Sequence, residues 1–248
     1  MTNRTEVLGI KIDIVTMAEV VARVTMLFDQ EQTQVCSIYT VGPEIIMHAR
    51  KDKEYASILN SGNIIIPDGI GAVLASKLNK TKLPERVGGC DLAFELFNIM
   101  KGNNKTAYFL GGQPGVAKKA KSNIERNFPG LNIVGVNDGF FDEKQEKIII
   151  EELNRLKPDL LLVGTGFPRQ EKWIDKNKNV LACRVAIGVG GSIDIFAGNV
   201  RRAPKFWVKL NLEWLYRLLS EPRKRFARQL RLPLFVFAVV WNKLTKRG

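Results

Sequence analysis

The chain has 248 residues, 45% of them hydrophobic, which suits one large domain with a real core, or one domain with an appendage. Its formal net charge of +13 is unevenly placed: residues 199–248 hold thirteen Lys and Arg against Glu213 and Glu221, while the preceding stretch is close to neutral. Cys36, Cys90 and Cys183 are far apart and form no C-x-x-C pair, which excludes a disulfide framework and reads as reduced thiols of a cytosolic protein.

The first residues carry charges and no apolar signal-peptide core. The longest strongly apolar run, Leu232 to Trp241, falls short of the ~17 residues a spanning helix needs. The chain is therefore expected not to cross a membrane.

Val7 to Val15 predicts one or two short strands. Thr16 and Glu19 have capping-box spacing and open an amphipathic helix to about Gln30. Val35 to Thr40 reads as a strand, followed by Gly42-Pro43 and a helix through Arg50, then a short helix near Asp52 to Leu59. Asn63-Ile64-Ile65-Ile66-Pro67-Asp68-Gly69 reads as a buried strand stopped by proline, with a helix over Ile70 to Leu78. A loop around Arg86 leads to a helix from Asp91 to Met100.

A second series of units follows. Thr106 to Leu110 closes on Gly111-Gly112, and a lysine-rich helix runs to Phe128. Leu131 to Val136 is a strand, and Asp142 with Gln145 opens a helix that ends before Pro158. Leu160 to Val163 runs into Gly164-Thr165-Gly166, and Arg184 to Ile187 into Gly188-Val189-Gly190-Gly191. Strand, glycine turn and helix in repetition predict an α/β fold, Rossmann-like, with a largely parallel sheet and helices on both faces.

Asp68 falls at the carboxyl end of a parallel strand, the edge at which open α/β sheets bind ligands. A carboxylate there beside glycines is a candidate general base. The competing reading is that Asp68 caps the following helix. The glycine turns at Gly111, Gly112, Gly164 and Gly190 could present backbone N–H groups to phosphates and together suggest a nucleotide pocket, although none fits a dinucleotide or P-loop signature.

Absences also count. His48 is the only histidine and no Asp-x-Asp occurs, so no metal site is expected and no cofactor is called for. A diphosphate leaving group would then rely on helix N-termini and on arginines such as Arg86, Arg217 and those of the tail.

In the tail, Pro204 opens a helix with Trp207, Leu210, Trp214 and Leu218 on one face, and Glu221-Pro222 breaks it. Phe226, Leu230, Leu234, Phe237, Trp241 and Leu244 then recur at helical spacing, with Arg225, Arg228, Arg231 and Lys243 interleaved and Pro233 expected to bend the segment. An apolar face beside a basic one is the pattern of a helix lying on an anionic membrane surface. The plainer alternative is a helix docked on the body with its charges in solvent.

These residues together resemble the WecG/TagA/CpsF glycosyltransferases of bacterial surface-polymer synthesis, over nearly the whole chain. The likeness rests on Pro67-Asp68-Gly69-Ile70-Gly71, Leu83 to Leu92, Gly166 to Trp173, Gly188 to Asp194, Arg202-Ala203-Pro204, and Leu212 to Arg217 with Glu221-Pro222. The resemblance implies an inverting enzyme that moves a sugar, N-acetylmannosamine first among candidates, from a UDP-sugar donor to an amino sugar on undecaprenyl diphosphate. It implies Asp68 as base, Thr40 and Gln170 as pocket residues, and Asp194 in the block associated with the nucleotide. It further implies that Arg217 closes over the site at the membrane. Two positions depart from the pattern: Gly42 stands where an asparagine is usual, and Ala227 where a basic residue is common, leaving Arg228 and Arg225 for that role.

The expected layout is a glycosyltransferase body over residues 1–198 and a basic membrane-docking appendage over 199–248 that completes the active site. The expected partners are the lipid-linked acceptor and an anionic membrane surface, at the inner face of the cytoplasmic membrane and without nucleic acid, with room for a homo-oligomer in solution. Rival readings are another UDP-sugar donor, such as glucose or N-acetylmannosaminuronic acid, and a nucleic-acid-binding protein using the basic tail. The last is weakened by the near-neutral body and the lack of a nucleic-acid motif.

Overall fold

The computed structural model describes residues 3–30, 34–79, 81–204, 206–207, 213–220 and 231–245. Strands β1 (Arg4–Val7) and β2 (Ile10–Asp13) form an antiparallel hairpin. Helix α1 (Met17–Phe28) opens on the Thr16–Glu19 capping box that the sequence predicts. Then come β3 (Cys36–Val41), α2 (Pro43–Ala49), α3 (Lys53–Ser61), β4 (Ile64–Pro67), α4 (Ile70–Ser76) and α5 (Gly89–Met100). The second series is β5 (Thr106–Gly111), α6 (Val116–Asn127), β6 (Asn132–Asn137), α7 (Glu143–Leu156), β7 (Leu160–Gly164), α8 (Arg169–Asn177), β8 (Val185–Gly188) and α9 (Ser192–Phe196). Two further helices span Glu213–Ser220 and Arg231–Thr245.

The main sheet has six strands in the order β4-β3-β8-β7-β5-β6, and every pairing is parallel. Continuous apolar runs such as Leu160 to Val163 suit strands covered on both faces. Cys36, Ile38, Phe109, Leu162 and Ile187 point to one side, where α1, α5, α6 and α9 pack. Tyr39, Val41, Tyr108, Leu161 and Ala186 point to the other, under α2, α3, α4, α7 and α8.

The edge strand β4 is closed by the hairpin. The buried Asp13 carboxylate accepts from Ile65 N at 2.6 Å and pairs with Arg4 at 3.1 Å, so an otherwise open strand edge ends on a side chain.

The helix Arg231–Thr245 packs against α2 and α4. Phe235 and Ala238 are buried there, and Phe235 joins the core on that side of the sheet. Its opposite side leaves Leu234, Phe237, Trp241 and Leu244 in solvent, 58–66% exposed. Docked face and free apolar stripe are therefore two sides of one element. Pro233 lies within this helix, three residues from the end of a stretch in which the expected bend would also fall, so that expectation lies partly outside the described residues. Phe226, Leu230 and the Glu221-Pro222 break lie outside the described residues, as does Leu210 of the preceding helix. No described helix is long and apolar enough to cross a membrane. Cys36 and Cys183 are buried, Cys90 is half-buried, and none of the three is in a disulfide.

Candidate active site

The carboxyl ends of β3, β4, β5, β7 and β8 bring Asp68, Thr40, Gln170 and the glycine turns to one edge. Asp68 follows β4, and its backbone N–H donates to Val41 O at 2.9 Å, which fixes it beside the end of β3. The approach is so close that a Cβ on Gly42 would lie 2.4 Å from the Asp68 carbonyl oxygen. That contact gives a physical reason for glycine at this position.

Asp68 does not cap α4. The N-cap of α4 is Gly69, at φ +122°, with no side-chain bond. The carboxylate turns instead to α5, where Oδ2 accepts from Gly89 N at 3.3 Å. An anion at a helix N-terminus is stabilised by unpaired N–H groups and the helix dipole. Oδ1 lies 3.9 Å from Arg86 Nη1, and the Asp68 side chain remains about a third exposed. It is a held carboxylate that solvent and substrate can reach.

Arg86 is shared between two carboxylates. Its Nη2 pairs with Asp91 Oδ2, while Asp91 Oδ1 pairs with Arg202 of the segment beyond α9. The Arg202 guanidinium also lies over the Phe94 ring, 5.2 Å from its centroid. Asp91 and Arg202 thus belong to the cluster although the sequence did not single them out as functional. Asp91 is legible as an acidic residue in a first helical turn, but its bond to a residue 111 positions away is not.

Thr40 is nearly buried and donates from Oγ1 to Gly188 O at 3.0 Å, across the adjacent ends of β3 and β8. Its methyl group sits where a Cβ on Gly89 would be 2.8 Å away. Gln170, 2% exposed, uses both ends of its amide internally: Oε1 accepts from Gly190 N at 2.9 Å and Nε2 donates to Glu171 Oε1 at 2.7 Å. Glu171 is fully buried and also accepts from Tyr55 OH at 2.9 Å. Burial pushes its carboxyl above the usual range, against the lowering effect of those two donors. The same burial, reinforced by the Glu171 charge, raises Tyr55 and keeps it a donor.

The glycine turns lie against one another. Gly112 N donates to Gly164 O at 3.3 Å, and a Cβ on Gly164 would meet Ile193 at 2.5 Å and Gly190 O at 2.8 Å. Gly111 lies against the Gly164 backbone. Asp194 stands in α9, next to the Ile193 that fills this junction, and its carbonyl accepts from Asn199 N at 3.0 Å. A continuous path therefore runs from Asp68 through Gly89, Thr40, Gly188, Gln170 and Gly190 to Gly164.

Arg217 lies in the helix Glu213–Ser220, whose backbone is described but whose Arg217 side chain is outside what is described; Arg225 and Arg228 lie outside the described residues altogether. His48 is packed between the rings of Tyr55 and Phe167, at 5.3 and 5.8 Å. Among the described residues, no three His, Cys, Asp or Glu side chains gather as a metal-ion cage.

An all-parallel sheet covered on both faces, with its polar groups gathered at the strand carboxyl ends, has the plan of nucleotide-using α/β enzymes. Comparison with known proteins names the class more narrowly: residues 5–248 match the description "Glycosyl transferase WecG/TagA/CpsF family". The chain belongs to this family. It is 37% identical over 210 residues to a protein of Bacillus subtilis (strain 168) named N-acetylglucosaminyldiphosphoundecaprenol N-acetyl-beta-D-mannosaminyltransferase, covering 85% of this chain and 81% of the relative. A protein of the same name from Staphylococcus aureus (strain MRSA252) is 33% identical over 242 residues, 98% of this chain and 94% of the relative.

Proposed function

We propose that this protein is an inverting glycosyltransferase that moves N-acetylmannosamine from UDP-N-acetylmannosamine to N-acetylglucosamine on undecaprenyl diphosphate, a step of teichoic acid linkage-unit synthesis. The observation that carries the chemistry is the Asp68 carboxylate. It is held by the N-terminus of α5 at 3.3 Å, stands 3.9 Å from Arg86, and stays open to solvent at the strand edge. The relatives' names supply donor sugar and acceptor.

Asp68 takes the proton of the acceptor hydroxyl as its oxygen bonds to the anomeric carbon. The bond from that carbon to the diphosphate oxygen breaks on the opposite face, and UDP leaves with the electron pair. N–H groups of the glycine turns near Gly111, Gly164 and Gly190, and the Arg86 guanidinium, oppose the charge developing on the diphosphate. Thr40 and Gln170 fix the backbone of the turn at Gly188 to Gly190. Arg217, Arg225 and Arg228 are the further cations assigned to the diphosphates, and the reaction calls for no metal ion.

The acceptor is a lipid, and the free apolar stripe of the Arg231–Thr245 helix is the surface that meets its bilayer. The protein works as a peripheral enzyme on the inner face of the cytoplasmic membrane, with residues 199–248 as the docking appendage. The test is incubation with a panel of UDP-sugars and a short-chain lipid-diphosphate N-acetylglucosamine, read by product mass. Transfer of N-acetylhexosamine from UDP-N-acetylmannosamine is expected. Transfer only of glucose or of a uronic acid would reassign the donor, and no transfer from any UDP-sugar would overturn the reading.

A further inference from the structure

Glu171 is a buried carboxylate that the proposed chemistry leaves without a task. It is fully enclosed, on the face of α8 that meets α3, with no cationic partner among its bonds shown. Filling core space with an ionisable group is costly compared with an apolar side chain of the same size. Its two oxygens are both used: Oε2 accepts from Tyr55 OH at 2.9 Å and Oε1 from Gln170 Nε2 at 2.7 Å.

The second bond has a directional consequence. An amide has one donating and one accepting end. Both Glu171 oxygens act as acceptors, Oε1 towards Gln170, so Gln170 turns its Nε2 there and its own Oε1 the other way. That Oε1 accepts from Gly190 N at 2.9 Å. Gly190 is at φ +53°, inside the turn that follows β8. The turn is also held at its two ends: Thr40 Oγ1 donates to Gly188 O, Val189 N to Val163 O at 2.8 Å, and Ser192 N and Oγ to Val189 O at 3.1 and 2.7 Å. Gln170 supplies the hold in the middle.

We propose that Glu171 is a positioning residue. Through Gln170 it orients the Gly188–Ser192 turn, and thereby the backbone donors that face the leaving diphosphate; Tyr55 anchors Glu171 from α3. This rests on the reading of that turn as part of a nucleotide-diphosphate site. A carboxylate suits the task because both its oxygens accept, so it holds Tyr55 OH and Gln170 Nε2 at once.

The experiment uses the full chain with Glu171→Met, Glu171→Gln and Tyr55→Phe, and UDP as the probe. Hydrogen exchange of the peptide spanning Gly188 to Ser192 is read by mass spectrometry, and UDP affinity by calorimetry. Glu171→Met keeps the side-chain length but removes the acceptor for Gln170. It is expected to raise exchange of the turn ~10-fold or more and to weaken UDP ~10-fold, which corresponds to about 1.4 kcal/mol, without lowering the melting temperature. Glu171→Gln can still accept from Gln170 and donate to Tyr55, so it is expected to stay within ~3-fold of the parent on both readouts.

Equal impairment by Glu171→Met and Glu171→Gln, or none by Glu171→Met, would overturn the proposal. If Glu171→Met fails to fold, Tyr55→Phe decides: loss of one hydroxyl is expected to move exchange and affinity in the same direction, and unchanged values count against the proposal. A parent protein that ignores UDP would refute the nucleotide reading, while the exchange comparison would still judge the role of Glu171.

Discussion

The two faces of the C-terminal helix make opposite predictions for substitutions only two residues apart. Phe237 and Trp241, 66% and 58% exposed with their rings stacked at 6.0 Å, are the centre of the outward stripe. Phe235, 2% exposed, points into the body. Burying a large apolar side chain fully is worth about 1.5–3 kcal/mol. Side chains that still expose about 60% of their surface have about 1–2 kcal/mol each left to gain in the bilayer interface. Phe237→Ser with Trp241→Ser should therefore cost about 2–4 kcal/mol of membrane affinity, or roughly 30- to 700-fold. Sedimentation with phosphatidylglycerol-rich vesicles measures this, and an unchanged circular dichroism melt shows that the fold survives. Phe235→Ala should do the reverse: it leaves the outward stripe in place and lowers the melting temperature through a cavity between the helix and α2, within the ~3–5 kcal/mol typical of such truncations. The reasoning is refuted if the outward double variant binds vesicles within threefold of the parent, or if Phe235→Ala loses the membrane but not stability.

Asp68→Asn keeps shape but cannot take a proton, and turnover should fall ~10²-fold or more while UDP affinity stays within a few-fold; unchanged turnover would remove Asp68 as base. Asp91→Asn and Arg202→Ala each break one arm of the shared pair, and each should lower turnover ~10-fold, with a double variant little worse than either single one; fully additive losses would show that the two do not act together. Activity should survive exhaustive EDTA treatment, since the sequence lacks Asp-x-Asp and carries one histidine; loss restored by Mg²⁺ or Mn²⁺ would contradict stabilisation of the leaving group by arginines and N–H groups. Glu171, faced by Tyr55 and Tyr39, has a raised folded-state pKa. Its native form therefore binds more protons than the unfolded chain, so stability is present below the ordinary carboxylate range and declines as pH rises through the folded value. Glu171→Gln should remove that decline, visible as a melting-temperature difference that moves in the variant's favour as pH rises above the ordinary carboxylate range.

Much of this architecture is local and could be read from the chain. Apolar runs closed by Pro67 or by glycine set the strands, and the Thr16–Glu19 and Asp142–Gln145 capping boxes start α1 and α7 where their spacing says. Repetition of strand, turn and helix leaves few alternatives to a parallel sheet. Asp68 was legible as a candidate base because its place at a strand end follows from the residues on either side of it.

Other features depended on distance in the chain. Which helix N-terminus receives the Asp68 carboxylate was decided by strand order, which brings Gly89 of α5 to it in place of its sequence neighbour α4. Gln170 reads from the family resemblance as a pocket residue, yet its amide is consumed by Glu171 and Gly190, because β8 lies beside β3 and β7 and sets the Gly190 turn against α8. The pairing of Asp91 with Arg202 spans 111 residues and has no periodic trace. The apolar residues of the C-terminal helix were visible as a set, but helical periodicity gives only their angular positions around an axis. Which side meets the protein was fixed by the surface of α2 and α4, against which Phe235 and Ala238 pack, leaving Phe237 and Trp241 outside. Hydrogen-bond patterns and hydrophobic spacing act over a few residues and are written in the sequence; the choice of partner for a charged or apolar face is made by whatever the folded chain brings alongside.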